Sequence, residues 1–132
     1  MDDFRQMASD GTVALARAAA EAIRGLNHAT RCDAGLGQPS AAYDVIGALS
    51  LAASRLGQLL TQITGYLDRS LRAGRLGHDL GEDPAPDING AGVFLHGARL
   101  SAAALASDLS QAQEQLAYIN GCPARRNLQD QA

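Results

Sequence analysis

The chain of 132 residues has the length of one domain, and an apolar share of 46% with only 4% aromatic residues favours closely packed helices over β-structure. The formal net charge is −3, and the chain contains no lysine and only scattered arginines, so we expect no duplex nucleic-acid binding. Two cysteines are too few for a disulfide-stapled scaffold.

The first segment carries apolar residues at helical spacing, which predicts a helix. These residues are Phe4, Ala8, Leu15, Ala19, Ala22, Ile23 and Leu26. Asp10 and Gly11 mark a point where this helix can restart or kink, because Asp caps helices well and Gly weakens an interior turn. The acidic opening residues lack the regions of a secretory signal, and no segment approaches the roughly 20 apolar residues that span a bilayer. We therefore expect a cytoplasmic protein without membrane contact.

A long second helix is predicted near residues 40–73. Its apolar residues recur every seven positions in three neighbouring columns on one helix face. The columns are Ala42, Leu49, Leu56 and Ile63; Val45, Ala52, Leu59 and Tyr66; and Ile46, Ala53, Leu60 and Leu67. Ser40 after Pro39 is a suitable start, and Gly74 is a suitable stop because glycine commonly follows the last helical turn.

A third helix is predicted near residues 87–120, although it opens on the glycine-rich stretch INGAGVFLHGARL. Two heptad columns run unbroken through that stretch: Ile88, Leu95, Ala102, Leu109 and Leu116; and Ala91, Ala98, Leu105, Ala112 and Ile119. A phosphate-binding glycine loop needs a strand directly before it, whereas the preceding residues here are GEDPAPD. The stretch is therefore predicted to be helical, with Asp87 as its N-cap.

Short connections between these segments predict an all-α fold, an elongated three-helix up-down-up bundle dominated by an antiparallel hairpin of helices two and three. At 1.5 Å per residue the hairpin is about 50 Å long. We expect one domain over residues 1–122 and a flexible polar tail over residues 123–132. One end, the cysteine pole, then carries His28, Arg31, Cys32, Cys122, Arg125 and Arg126. The other, the acidic pole, gathers Asp2, Asp3, Arg72, Arg75, His78, Asp79, Glu82, Asp83 and Asp87.

His28, Cys32 and Cys122 share the predicted cysteine pole, and their side chains are of the types that bind zinc. A structural zinc site needs four ligands, and Asp33 is the only further local candidate, so we expect no metal. A disulfide between the cysteines is the alternative, although a cytosolic setting disfavours it. Two ordinary thiols are the simplest interpretation.

The stretch DPAPDING places Asp87, Asn89 and Gly90 at the spacing of part of a calcium loop. An EF-hand also needs acidic residues at its first and last positions, where this chain has Ala85 and His96. We therefore expect a solvated acidic turn here.

Two pairs of residues are candidates for acid–base catalysis: His78 beside Asp79, and His96 near Asp87. Neither pair has a nucleophile or an oxyanion-stabilising group near it in the sequence. Both histidines are interpreted as surface residues. We expect no catalytic residue, no cofactor and no enzymatic activity.

A second apolar patch on the third helix lies apart from its heptad columns. We call it the outer patch; it consists of Val93, Phe94, Gly97, Leu100 and Ala104. A helix with two apolar faces has two neighbours, and the second neighbour is either helix one or another chain. Helix one is a candidate because Phe4 and Met7 are expected at the same pole. Leu51 and Leu71, off the columns of helix two, favour contact with another chain.

Three stretches, GLNHATR, QPSAAYDVIGALSLAASRLGQLLTQI and AGRLGHDLGEDPA, resemble short alanine-rich helical proteins found widely in actinobacteria. The resemblance covers residues 24–120. It implies a bacterial cytoplasmic setting and assigns no activity, ligand or site residue.

These observations favour a non-enzymatic helical interaction or adaptor protein that contacts another protein or a second copy of itself, with a homodimer expected. One alternative is a small-molecule-binding or regulatory bundle with a pocket between helices. Another is an accessory protein of DNA processing. Ligand-induced shifts in melting temperature would favour the first alternative, and salt-dependent retention on DNA the second.

Overall fold

The computed structural model describes residues 2–122, so the tail predicted over residues 123–132, with Arg125 and Arg126, lies outside the described residues. The described part consists of α1 (Asp2–Ala29), a single 3₁₀ turn (Asp33–Gly35), α2 (Pro39–Arg72) and α3 (Ala85–Leu116). No strand occurs between residues 2 and 122, which confirms the all-α prediction. The bounds of the second and third helices agree with the sequence-based bounds to within a few residues.

The end of α2 follows from Gly74, as predicted. Gly74 has φ 67°, a left-handed conformation that glycine adopts without steric cost. Its N–H donates to Leu71 O at 3.1 Å, and the N–H of Arg75 donates to Ser70 O at 3.0 Å. This is the Schellman arrangement, which satisfies carbonyl groups that the last helical turn would otherwise leave unpaired.

The start of α3 differs from the sequence-based prediction. The helix begins at Ala85, with Pro84 as its N-cap residue, so Asp87 lies inside the first turn and is not the cap. Asp83 Oδ1 instead accepts the N–H of Ala85 at 3.0 Å. The helix can begin earlier because Pro86 fits a first turn, where the missing N–H costs no hydrogen bond.

Helices α2 and α3 pack along their length as an antiparallel hairpin. The seam uses one of the predicted columns from each helix: Ile46, Ala53, Leu60 and Leu67 from α2, and Ile88, Leu95, Ala102, Leu109 and Leu116 from α3. Ala53 and Ala102 are the buried hydrophobic residues of the described chain, and they allow the two helices to approach closely at mid-length.

Two hydrogen bonds across the seam define the register of the hairpin. Ser50 Oγ donates to Ala106 O at 2.8 Å, and Gln113 Nε2 donates to Tyr43 O at 3.3 Å. Gln113 reaches Tyr43 over Gly47, where a Cβ would collide with the glutamine side chain. The two bonds lie one heptad apart on both helices, so the register is constant between them.

Helix α1 is continuous through Asp10 and Gly11, with neither the restart nor the kink that these residues allow. Its first turns approach the end of α2, since Asp2 and Arg5 line a cleft together with Tyr66 and Arg75. This placement agrees with the up-down-up topology. However, α1 has no buried residue, and its apolar residues stay largely exposed.

At the other end of the molecule, the residues after α3 meet the residues before α2. Asn120, Gly121 and Cys122 line one cleft with Gln38 and Pro39. Cys32 directly precedes the 3₁₀ turn that leads into α2. This placement agrees with the prediction that both cysteines lie at one pole.

Candidate interaction surfaces

The two broad sides of the α2–α3 hairpin differ in polarity. One side holds a shallow groove lined by the polar residues Ser54, Gln58 and Thr61 of α2 and His96 and Arg99 of α3, together with Leu100 and Ala103. We call this side the polar face. It follows from the sequence, because these residues occupy the same flank of each helix next to the seam.

The opposite side of the hairpin is apolar. Side chains two positions apart on an α-helix point in directions about 200° apart. Leu59 therefore lies on the side of α2 opposite to Thr61, and Ala98 lies on the side of α3 opposite to His96. The remaining heptad columns therefore share this side. We call it the apolar face. From α2 it comprises two columns, Ala42, Leu49, Leu56 and Ile63, and Val45, Ala52, Leu59 and Tyr66; from α3 it comprises Ala91, Ala98, Leu105, Ala112 and Ile119.

The apolar face is open to solvent in the single chain. Leu59 is 44% exposed, Tyr66 57% and Leu105 50%, and the alanines beside them are exposed as well. Isolated exposed apolar side chains are normal, but a continuous strip along two helices is typical of a contact surface. The structure thus leaves the outward side of these heptad columns exposed in the described chain.

The register determines which residues of α2 and α3 lie at the same level along this face. The Ser50–Ala106 and Gln113–Tyr43 bonds define which residues of α2 and α3 lie at the same height along the hairpin, to within one residue. The level pairs are Val45 with Ala112, Ala52 with Leu105, Leu59 with Ala98, and Tyr66 with Ala91. Leu49, Leu56 and Ile63 lie between the seam and the outer α2 column, so α2 presents large side chains along the whole face.

The outer patch is exposed rather than buried. Val93 is 70% exposed, Phe94 81% and Leu100 61%. Of the two neighbours considered for this patch, α1 does not cover it in the single chain, where Phe4 and Met7 of α1 are themselves exposed. Gly97 and Ala104 are exposed on the same outward side of α3.

The two candidate residues of α2 differ from each other. Leu51 is 49% exposed, whereas Leu71 is half-buried at the end of the helix. Only Leu51 therefore offers its side chain freely to a second molecule.

The histidines are paired differently from the sequence-based candidates. His78 bonds to Asp87 rather than to the adjacent Asp79, with 2.9 Å between Nε2 and Oδ2. The N–H of Leu80 donates to His78 Nδ1 at 3.1 Å, so the proton of the neutral ring lies on Nε2, which donates to the carboxylate. Both ring nitrogens are thus engaged in holding the turn between α2 and α3. His96 lies in the groove of the polar face and not beside Asp87.

The candidate metal ligands do not form a cluster in the part of the chain that the structure describes. Within residues 2–122, no group of three or more His, Cys, Asp or Glu side chains could hold a metal ion. Cys32 and Cys122 are both free and exposed. None of the described helices is long and apolar enough to cross a membrane.

Sequence reasoning named the residues of the apolar face as heptad columns on one side of each helix. Periodicity shows that a column is apolar without showing which neighbour covers it. The hydrogen bonds that set the register depend on side chains meeting across the seam, and no sequence pattern indicated them.

Comparison of the chain with protein-family models, with curated proteins and with solved structures finds no match.

Proposed function

We propose that this chain is a non-enzymatic helical interaction protein that acts through protein–protein contacts and associates with a second copy of itself. The supporting observation is its accessible surface of 10847 Å². A compact monomer of 13.7 kDa exposes about 6,600 Å². The excess is several times the roughly 800 Å² that each partner buries in a standard interface.

The residues outside the described part do not account for this excess. If each of them were as exposed as in an unfolded chain, at about 160 Å² per residue, an excess above about 2,000 Å² would remain. Much of it lies on α1 and on the hairpin, where apolar side chains face solvent. Burial of such surface is the main driving force of protein association.

The resemblance to actinobacterial helical proteins leads us to propose a bacterial cytoplasmic setting. The exposed thiols of Cys32 and Cys122 are compatible with a reducing compartment.

The test of self-association is sedimentation equilibrium on the purified chain over a range of concentrations. We expect a mass of twice 13.7 kDa at the higher concentrations. The measurement is repeated at high salt, because an apolar contact persists there whereas a contact made by exposed charges weakens. A mass that remains that of one chain at every concentration would overturn the proposal.

A further inference from the structure

We propose that two copies of the chain exchange their first helices, so that α1 of each copy packs on the apolar face of the other. This inference rests on the proposed self-association and assigns it a pair of surfaces. Because each copy gives one helix and receives one, the contact is made twice and closes around a two-fold axis.

The first observation is that α1 carries an apolar side of its own. We call it the α1 stripe; it comprises Phe4, Ala8, Gly11, Leu15, Ala22 and Leu26. At about 100° per residue, these side chains fall within one narrow arc of the helix, and no polar side chain lies among them. Phe4 is 77% exposed and Leu15 74%, and only Leu26 is half-buried. The single chain thus leaves the stripe without a neighbour.

The side of α1 that faces the hairpin of its own chain is the polar one. Asp2, Arg5 and Ser9 line the cleft between α1 and the end of α2. Ser9 follows Phe4 by five residues, which is a rotation of about 140° around a helix. The stripe therefore points away from its own hairpin, where a second molecule can reach it.

The connection between α1 and α2 holds this orientation. Its backbone packs on the last turn of α1, since a Cβ on Gly35 would collide with the carbonyl oxygen of Ala29. Gly37 has φ 69°, and its N–H donates to Asp33 O at 2.9 Å. Turning the stripe onto the hairpin of the same chain would disrupt these contacts, which favours a second copy as the occupant.

The stripe and the apolar face match in length. At 1.5 Å per residue, the stripe extends over about 33 Å from Phe4 to Leu26, and the outer α2 column over about 32 Å from Val45 to Tyr66. Two packed helices with one open apolar side lack a third helix to cover it, and α1 is a helix of the required length with one apolar side.

The available surface suffices for a stable pair. A standard interface buries about 800 Å² on each partner, whereas the chain exceeds a compact monomer by more than about 2,000 Å². Every residue of α1 except Leu26 is exposed, so α1 holds a large part of this excess. Exchange of α1 removes that surface from water, which a contact between two hairpins would not.

The test is thiol crosslinking of full-chain variants in which Cys32 and Cys122 are replaced by serine. Leu15→Cys lies midway along the stripe and Leu56→Cys midway along the apolar face, so the two are level whichever way α1 runs. One variant carries an affinity tag, and a short bismaleimide joins thiols that lie close together. We expect a mixed crosslinked dimer from the mixture, and little crosslinking in either variant alone.

Val13→Cys is the matched control for Leu15→Cys. Val13 lies on the opposite side of α1 and is also exposed, at 46%, so it should not be crosslinked to Leu56→Cys. Ala52→Cys replaces Leu56→Cys if circular dichroism shows that the latter has lost helix content.

Hydrogen exchange gives a second measurement on the unmodified chain. The exchanged helix is protected only while two copies are associated, whereas the α2–α3 seam lies within one chain. The amides of α1 should therefore exchange more slowly at high than at low protein concentration, with those of the seam unchanged. Exchange of α1 that is independent of concentration in a dimer would contradict the proposal.

Each other outcome of the crosslinking overturns the exchange in a recognisable way. Leu15→Cys crosslinked to itself would indicate that two stripes pair, and Leu56→Cys crosslinked to itself that two apolar faces pair. An intramolecular crosslink in a monomer with both substitutions would show that α1 covers its own chain. A dimer by sedimentation without the mixed crosslink would place the contact elsewhere and leave self-association intact. A monomer at every concentration would overturn the proposed function as well.

Discussion

His78 Nε2 donates a hydrogen bond to Asp87 Oδ2 at 2.9 Å and thereby joins the turn after α2 to the first turn of α3. The imidazole is only 22% exposed, whereas the carboxylate is 72% exposed, so the ring is packed and the acceptor is solvated. The carboxylate also lies in the first turn of a helix, where negative charge is favourable. This contact fixes the angle at which the chain enters α3.

Replacing the histidine should therefore weaken the hairpin. We expect His78→Ala to lower the free energy of unfolding by about 1 kcal/mol, because it removes two hydrogen bonds. The loss stays small because the Asp87 carboxylate is solvated. Thermal unfolding followed by circular dichroism measures the effect. His96→Ala is the matched control, since His96 lies on the open polar face. Equal melting temperatures for the two variants would show that the His78–Asp87 contact contributes nothing to stability.

Two glycine substitutions, one within α2 and one just after its end, should act in opposite directions. Gly74→Ala forces a side chain into a left-handed conformation and should destabilise the chain by about 1–2 kcal/mol. Gly57→Ala lies within the helix with no atom near the new Cβ and should stabilise it by about 0.5–1 kcal/mol. Denaturant unfolding of both variants checks this. A stable Gly74→Ala variant would mean that the Schellman turn is not what ends α2.

Charges placed on the two apolar surfaces should have different effects on self-association. Leu59→Glu puts a charge on the apolar face, and we expect it to weaken the proposed self-association at least about a hundredfold. Phe94→Glu lies on the outer patch and should change stability by no more than about 0.5 kcal/mol, because Phe94 is 81% exposed. Light scattering reports the mass, and circular dichroism reports the helix content.

The reverse result is equally informative. Loss of the dimer in Phe94→Glu, with its retention in Leu59→Glu, would place the interface on the outer patch. Loss of folded structure in Phe94→Glu would contradict the exposure of that ring.

Helix α1 should be the least protected part of the described chain. It has no buried residue, and most of the stability of helices in proteins comes from the packing of an apolar face. We expect its amides to exchange with deuterium about tenfold or more faster than those of the α2–α3 seam, measured by mass spectrometry. Equal protection in α1 and around Ala53 would indicate that α1 packs against something in solution.

Local sequence patterns are sufficient to predict the helices and where they stop. Heptad spacing predicted α2 and α3, because a helix that packs on a neighbour must repeat its apolar residues about every 3.5 positions. Gly74 marked the end of α2, because only glycine takes that conformation without cost. The N-terminal end of α3 was predicted wrongly at Asp87, because a capping residue type does not exclude an earlier start, and Pro86 allows the helix to begin at Ala85.

The pairing of the apolar columns, in contrast, depends on contacts between the helices. Each column of α2 and α3 is equally apolar in sequence, but two helices in contact can bury only the residues that face each other. The Ser50–Ala106 and Gln113–Tyr43 bonds select Ala53 and Ala102 for the seam and leave Leu59 and Leu105 outside it. The same geometry brings His78 to Asp87 across the turn, a pairing between residues nine positions apart that no periodicity predicts.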